Sequence, residues 1–429
     1  MEQTRLRQIL FDQQKEFFSS GEELVKRDVS LDFVLTGNEV VVVSGIRRCG
    51  KSTLLKLIVQ RLEGKKLFLN FDDVRLTNFS LDNFQDVESL AFELLGTKDV
   101  IYFFDEIQNA PGWERWVNNL YGKGRKVFIT GSNARLLSSE ISTFLTGRNK
   151  ILELHPFSFR EFLRLKADED VNRAVLEGGE GLLKLTTDQR NQIFRLFLQY
   201  FETGGFPLIA RNDDIPLSGQ YFTDILNRDV LTRYQIRQGK ELKDLALYLF
   251  SNTGRTYSYS TLKQLTGVKS LSTLKNYIDY LRNVFLLHTI HRFDYSVTKQ
   301  KVSSAKPYIA DNSFFKTVAF NFSENKGKRL ENLVFLQLLR QGKELYYHKG
   351  KKECDFVVKE GLRIVSAIQV SYEMSDPRTR KRELEGLREA MRKYKLSEGL
   401  ILTLEESGVV EEKGITIKPV WEWLLEIQS

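Results

Sequence analysis

Two rhythms of apolar residues alternate in the first part of the chain. Short, nearly unbroken apolar runs at Val40 to Ser44, Leu67 to Phe71, Val100 to Phe104, Val127 to Thr130 and Ile151 to Leu154 are separated by segments in which apolar residues return every three or four positions. Runs of the first kind suit strands covered on both faces, and their alternation with helical segments between about 38 and 160 predicts a parallel α/β sheet. Ahead of it, Leu6, Ile9, Leu10, Phe17 and Phe18 fall at helical spacing in a charged segment and predict an N-terminal helix.

After Phe162 the rhythm turns helical, broken by a charged, glycine-bearing stretch over 167–181 and by Gly204-Gly205-Phe206-Pro207. Between about 240 and 295 a helix precedes Thr261 to Leu265, a turn at Gly267, a second helix from Ser272 to Phe285, and a strand-like run from Leu286 to Phe293. That order fits a helix-turn-helix followed by a wing. The last hundred residues return to mixed α/β, with helices around Leu330 to Arg340 and Arg380 to Lys393, and strands near Leu345 to His348, Cys354 to Val358, Ile364 to Val370 and Leu400 to Thr403.

The first apolar run leads into Gly45-Ile46-Arg47-Arg48-Cys49-Gly50-Lys51-Ser52, and Thr53 continues into a helical pattern. Strand, G-x-x-x-x-G-K-S, helix is the setting in which a phosphate-binding loop works. Glycines let backbone N–H groups close on an anion, Lys51 sets a charge against the β and γ phosphates, and the Ser52 hydroxyl faces a Mg²⁺ ion. The third run ends in Asp105-Glu106, at the strand edge where α/β sheets place ligands. Asp105 is expected to hold the metal and Glu106 to polarise the attacking water. Phe128-Ile129-Thr130-Gly131-Ser132-Asn133 supplies a polar tip on another strand, with Asn133 as the amide that senses the γ phosphate.

Composition narrows the setting. The 429 residues are 41% hydrophobic and 28% charged, with net charge +8 and a pI near 9.1, a moderately basic balance that suits an acidic partner. Cys49 and Cys354 are the only cysteines, which argues against a disulfide framework and for a reducing, cytoplasmic compartment. No apolar run approaches the length of a membrane span, and residues 1–30 are charged throughout, unlike a signal peptide. His155, His288, His291 and His348 follow no metal-ligand spacing.

The loop ending in Gly50-Lys51-Ser52, the Asp105-Glu106-Ile107-Gln108 continuation, Thr130-Gly131-Ser132-Asn133, Leu145-Thr146-Gly147-Arg148 and His155-Pro156-Phe157-Ser158-Phe159-Arg160-Glu161-Phe162 together resemble the archaeal and bacterial AAA-type ATPases of the P-loop superfamily. The resemblance implies a P-loop NTPase core at 31–165 after an N-terminal helical extension at 1–30. A helical lid or linker at 166–240, a winged helix at 241–325 and a C-terminal restriction-endonuclease-like α/β domain (DUF4143) at 326–429 follow. It implies ATP and Mg²⁺ as ligands. Arg148 resembles an arginine that reaches a γ phosphate in its own chain or in a neighbour, and Gly205-Phe206-Pro207 a signature that packs Pro207 near the adenine. Asp72 and Asp73 match an acidic pair after the second strand.

In the C-terminal domain a restriction-type nuclease needs an acidic helix residue, a strand aspartate and Asp/Glu-x-Lys. Glu331 and Asp355 match the first two, whereas Gln369-Val370-Ser371 stands in the third place and lacks both the carboxylate and the lysine. The expectation is therefore a scaffold that binds without cutting. In the winged helix Lys269, Thr273, Lys275 and Asn276 face a possible DNA groove, helped by Arg282, Arg292, Lys299, Lys301 and Lys306. The reading that results is an ATPase that repositions its accessory domains on double-stranded DNA or a protein client. The alternatives are a nucleotide-gated binding module with little turnover and, less favoured, an ATP-driven nuclease. The oligomeric state stays open.

Overall fold

The computed structural model describes residues 1–19, 21, 24–134, 145, 147–237, 239–319, 325–405, 408–409 and 414–426. They fall into two compact units, one formed by 1–155 with 283–285, the other by 156–282 with 286–429. Among the described residues no helix is long and apolar enough to cross a membrane.

The first unit is built on five strands, β1 (Val40–Ser44), β2 (Lys65–Asn70), β3 (Val100–Asp105), β4 (Val127–Gly131) and β5 (Asn149–Glu153). They run parallel in the order β2-β3-β4-β1-β5. With every strand pointing the same way, the segments leaving β1, β3 and β4 emerge at one edge, and this brings residues far apart in sequence together. Every residue of β1 and β4 is buried, as expected of central strands covered on both faces. Val40, Val42, Leu67, Leu69, Tyr102, Phe104 and Ile129 pack with Phe84, Val87 and Trp116 from the flanking helices, where Phe84 and Trp116 stack at 4.2 Å.

The outermost strand β2 is covered by the N-terminal helix Gln3–Ser19. Two consecutive glutamines take the place of a further strand. The Gln14 side chain accepts from Phe68 N at 2.9 Å and donates to Phe68 O, while that of Gln13 accepts from Asn70 N at 2.8 Å and donates to Asn70 O at 3.2 Å. Phe17 stacks flat on Phe68 at 3.7 Å.

The second unit begins with helices, among them Phe159–Lys166, Thr187–Thr203 and Pro207–Asn212. Helices Gly239–Ser251, Tyr259–Thr266 and Leu271–Asn283 then lead to an antiparallel ribbon of β6 (Leu287–His291) and β7 (Ala305–Ile309), although Asn283 itself falls in the first unit. Next comes a mixed sheet of β8 (Glu344–Lys349), β9 (Glu353–Glu360), β10 (Arg363–Val370), β11 (Gly399–Thr403), β12 (Gly408–Val409) and β13 (Ile415–Pro419), ordered β12-β13-β11-β10-β9-β8. Antiparallel pairing joins β8, β9 and β10, and parallel pairing joins β10, β11 and β13. Helix Pro377–Tyr394 buries Leu384, Leu387 and Ala390 against Val357, Ala367 and Ile401 of this sheet.

Candidate functional site

The loop between β1 and helix Lys51–Val59 depends on two glycines. Gly50 opens the helix at φ +100°, a conformation costly for residues with a Cβ. At Gly45 the constraint is space, because a Cβ there would lie 2.0 Å from the Leu154 carbonyl oxygen, just beyond β5. Arg27 braces the loop from the N-terminal segment, its guanidinium donating to Cys49 O at 3.0 Å and His155 O at 2.6 Å. Ile46 and Cys49 are buried, whereas Arg48, Ser52 and Thr53 are exposed and Arg47 is half-buried, with an ion pair to Asp72 at 2.8 Å.

Lys51 is buried and donates to the loop carbonyls of Gly45 at 3.2 Å and Ile46 at 3.4 Å, with Glu106 Oε1 also 3.4 Å from its Nζ. The Ser52 hydroxyl donates to Asp105 Oδ2 at 2.6 Å, although the two residues are 53 positions apart. Thr130 donates to the other Asp105 oxygen, and the same hydroxyl accepts from Glu106 N at 2.9 Å. Glu106 is held at φ +50°, ψ +44°, and its carboxylate accepts from Gln108 Nε2.

This is a tight group of opposed charges. Burial, and then the Glu106 carboxylate, push Asp105 above the ordinary aspartate range, against hydrogen bonds from Ser52 and Thr130. Burial would raise Glu106 too, but the Lys51 ammonium, joined by Gln108 and Arg47, holds Glu106 below its usual value. Burial would lower Lys51, and Glu106 together with Cys49 and Asp105 reverses that and keeps the lysine charged. A hydroxyl and a carboxylate already in contact are hard oxygen donors of the type Mg²⁺ prefers, so Ser52 and Asp105 fit the ion implied by the sequence.

Asn133 is buried beyond β4, and the Ser44 hydroxyl at the end of β1 donates to its backbone carbonyl at 3.4 Å, so the same sheet edge holds it. Arg148 lies elsewhere. It precedes β5, whose first residue pairs with Val40 at the start of β1, so Arg148 stands at the opposite edge of the sheet from the loop that follows Ser44. There its exposed guanidinium donates to Asn118 at 3.0 Å and lies over the Tyr121 ring. Crossing the length of β1 takes roughly 15 Å, far beyond an arginine's reach, so the structure does not bring Arg148 to the phosphate loop of its own chain. Thr146 of the same motif lies outside the described residues. Asp73 caps the short turn Val74–Leu76 and is held at about 2, mainly by Arg75.

Pro207 opens a helix in the second unit, after a turn fixed by its own surroundings. Gly205 N donates to the buried Asp311 at 2.7 Å, and Phe206 packs edge-on against Tyr221 and Phe314.

The second unit also gathers a buried ionic cluster that sequence spacing does not reveal. Lys306 on β7 is fully buried, and its Nζ meets Glu353 at 2.8 Å, Asp355 at 3.2 Å and Glu331 at 3.4 Å. Gln369 donates from Nε2 to Asp355 at 2.8 Å and also to Glu383. A lysine from β7 therefore stands beside Asp355, and a carboxylate from helix Pro377–Tyr394 beside Gln369. Burial, with Glu331 adding to it, pushes Asp355 up to about 6, whereas Lys306 overcomes burial at Glu353 and holds it at about 2. A cavity of about 740 Å³ opens beside the cluster, and Lys328, Lys351, Lys352 and Arg382 are among its lining residues, but Lys306 is not. Among the described residues no group of histidine, cysteine, aspartate and glutamate side chains is placed to hold a metal ion.

Sequence reasoning missed Thr130, Arg27 and Gln108 at the first site, and Lys306, Glu353 and Glu383 at the second. Thr130 and Gln108 lie inside the sequence motifs of the first site, so a signal was present for those two.

Comparison with known proteins matches residues 37–163 to an AAA domain, 194–325 to a domain of unknown function (DUF8612) and 326–423 to another (DUF4143). An uncharacterized protein of Methanocaldococcus jannaschii is 32% identical over 94% of this chain and 91% of its own length. One of Haemophilus influenzae is 30% identical over 90% and 94%. Among solved structures, a Walker-type ATPase of Pyrococcus abyssi is 16% identical, covering 70% of this chain and 99% of its own, with a TM-score of 0.41. The RuvB Holliday junction branch migration motor of Thermotoga maritima is 17% identical, covering 66% and 88%, with a TM-score of 0.30.

Proposed function

Since this chain belongs to the family of AAA-domain proteins that includes the Methanocaldococcus jannaschii and Haemophilus influenzae relatives, we propose that it binds and hydrolyses Mg-ATP at the loop Gly45 to Thr53. The observation that carries the reading is the contact of Ser52 with Asp105 at 2.6 Å, with Lys51 and Glu106 paired beside it. In this reading the loop N–H groups cradle the phosphates, and Ser52 and Asp105 hold the metal ion, which when bound neutralises phosphate charge. Lys51 turns from Glu106 and the loop carbonyls to the β and γ phosphates. Glu106, released from Lys51, takes the proton of the attacking water, and Asn133 senses the γ phosphate. For Arg148 the role kept is in trans, on the nucleotide of a neighbouring copy.

Turnover would then reposition the accessory segments, which we read as a helical lid, a winged helix at 241–325 and a non-cleaving endonuclease-like domain at 326–429, working in the cytoplasm. Lys269, Lys275, Asn276 and Arg282 are exposed on or next to helix Leu271–Asn283, and this favours a second reading as a nucleotide-gated DNA-binding module with little turnover. ATP hydrolysis measured with and without double-stranded DNA separates the two. The first reading expects Lys51→Ala to lose nucleotide binding and Glu106→Gln to bind but not turn over. Parental turnover by Glu106→Gln sinks the catalytic assignment. A steep fall of DNA affinity with salt, without hydrolysis, supports the second.

A further inference from the structure

We infer that Gln108 is a second water-positioning residue of the nucleotide site. Its amide Nε2 holds Glu106, and its amide oxygen accepts one hydrogen of the attacking water. The inference rests on the hydrolytic reading above and adds a residue that reading does not use.

Three observations carry it. First, Gln108 lies in the short turn Ile107–Asn109 directly after Glu106 and donates to Glu106 Oε2. Second, Gln108 Oε1 is buried and has no hydrogen-bond partner among the described residues. A buried acceptor left unpaired is destabilising, which is why such atoms are rare unless something comes to meet them. Third, Glu106 sits in the left-handed region at φ +50°, a conformation that persists only where the surroundings enforce it. Thr130 fixes its N–H, while Lys51 and Gln108 fix its carboxylate.

When a triphosphate draws Lys51 away, Gln108 remains as the partner that keeps the carboxylate aimed. A water between Glu106 and Gln108 Oε1 then donates one hydrogen bond to each and turns a lone pair to the γ phosphorus. That pair forms the new O–P bond as the bond from phosphorus to the bridging oxygen breaks. The bridging electrons leave on the β phosphate, and one water proton passes to Glu106. The products are ADP and inorganic phosphate, and Gln108 neither gains nor loses a proton.

The test compares Gln108→Leu and Gln108→Glu with the parent chain in kcat and in the affinities for Mg-ADP with beryllium fluoride and with aluminium fluoride. Beryllium fluoride imitates the ground-state phosphate, and aluminium fluoride the transferring group with its attacking water. The expected result is a kcat lower by about 10²-fold, beryllium fluoride complexes within about twofold of the parent, and aluminium fluoride complexes weakened at least about tenfold. Equal weakening of both complexes would mark a general structural role and overturn the inference, as would kcat within about threefold of the parent. Gln108→Glu, close in size and polar, serves if the leucine variant does not fold. Glu106→Gln and Lys51→Ala run alongside. If the parent chain hydrolyses ATP and Glu106→Gln does not, failure of the Gln108 variants sinks this inference alone. If the parent does not hydrolyse ATP, both readings fall.

Discussion

Lys306→Met isolates the energetics of the buried cluster, because methionine fills much the same space and removes only the charge. The ammonium is fully buried and meets three carboxylates, Glu331, Glu353 and Asp355, within 3.4 Å. Removing one partner of a buried pair typically costs about 3–5 kcal/mol, because the charge left behind is neither solvated nor matched. Here the loss is bounded by other contacts. Lys328 and Tyr308 still serve Glu331, Lys349 serves Glu353 and Gln369 serves Asp355. Asp355 can also take up a proton, since with Lys306 present it already titrates at about 6. The expected destabilisation is therefore about 3–5 kcal/mol at pH 8 and less at pH 5, where Asp355 is neutral in both proteins. Hydrogen exchange followed by mass spectrometry on peptides spanning 353–370 reads the opening free energy of β9 and β10 without requiring the whole chain to unfold in one step. A variant that neutralises the set, Lys306→Met with Glu331→Gln, Glu353→Gln and Asp355→Asn, should regain most of the loss. The reasoning is refuted if Lys306→Met costs less than about 1 kcal/mol at pH 8, or if the fully neutral variant is as unstable as the single one.

The contact geometry and the directions of the pKa shifts set four further outcomes. Asp355, raised to about 6, binds its proton more tightly folded than unfolded, so the same peptides should gain protection as pH falls from 6 toward 4, by at most about 3 kcal/mol, and Asp355→Asn should abolish that gain. Glu353, held at about 2, acts in the opposite sense, and its contribution, present above the usual glutamate range, should be lost as pH falls from about 4.5 toward 2 and be missing in Glu353→Gln. Thr130→Val strips a hydrogen bond from Asp105 and an acceptor from Glu106 N–H, so turnover should drop about tenfold or more while ATP binding persists, as calorimetry would show. Gly45→Ala drives a Cβ against the Leu154 carbonyl and should weaken ATP binding about tenfold or more in the same titration, and unchanged affinity would mean that the loop is not the binding element.

The core strands were legible because each is a short apolar run between polar segments, and β1 coincides with the run from Val40 to Ser44. The others shift by a residue or two at their ends, as Leu67 to Phe71 against Lys65–Asn70, because apolarity marks burial whereas strand limits follow pairing. Lys51, Ser52, Asp105 and Glu106 were legible because the phosphate loop fixes local spacing and the parallel sheet brings strand ends together. For Arg148 the sequence left open whether it acts in its own chain or in a neighbour, for the complementary reason. A motif records only the order of residues along the chain, whereas the register of β5 against β1 tells which edge of the sheet a residue occupies. Lys306 was read as a cation available to DNA, yet it is buried among carboxylates 25 to 49 residues further along the chain. No local pattern foretells a lysine whose partners lie on a helix and a strand of another element set.

The paired glutamines of the first helix bear on how the protein can be handled. By occupying the N–H and C=O groups of Phe68 and Asn70, they deny a neighbouring molecule the template on which a foreign strand would zip up. Truncation to a fragment that starts at the first strand would strip this cover and lay bare the stacked face of Phe68. Such a fragment would lose Arg27 but keep every group proposed to touch the nucleotide, and it would still be expected to precipitate, so a failed preparation of it would say nothing about nucleotide chemistry.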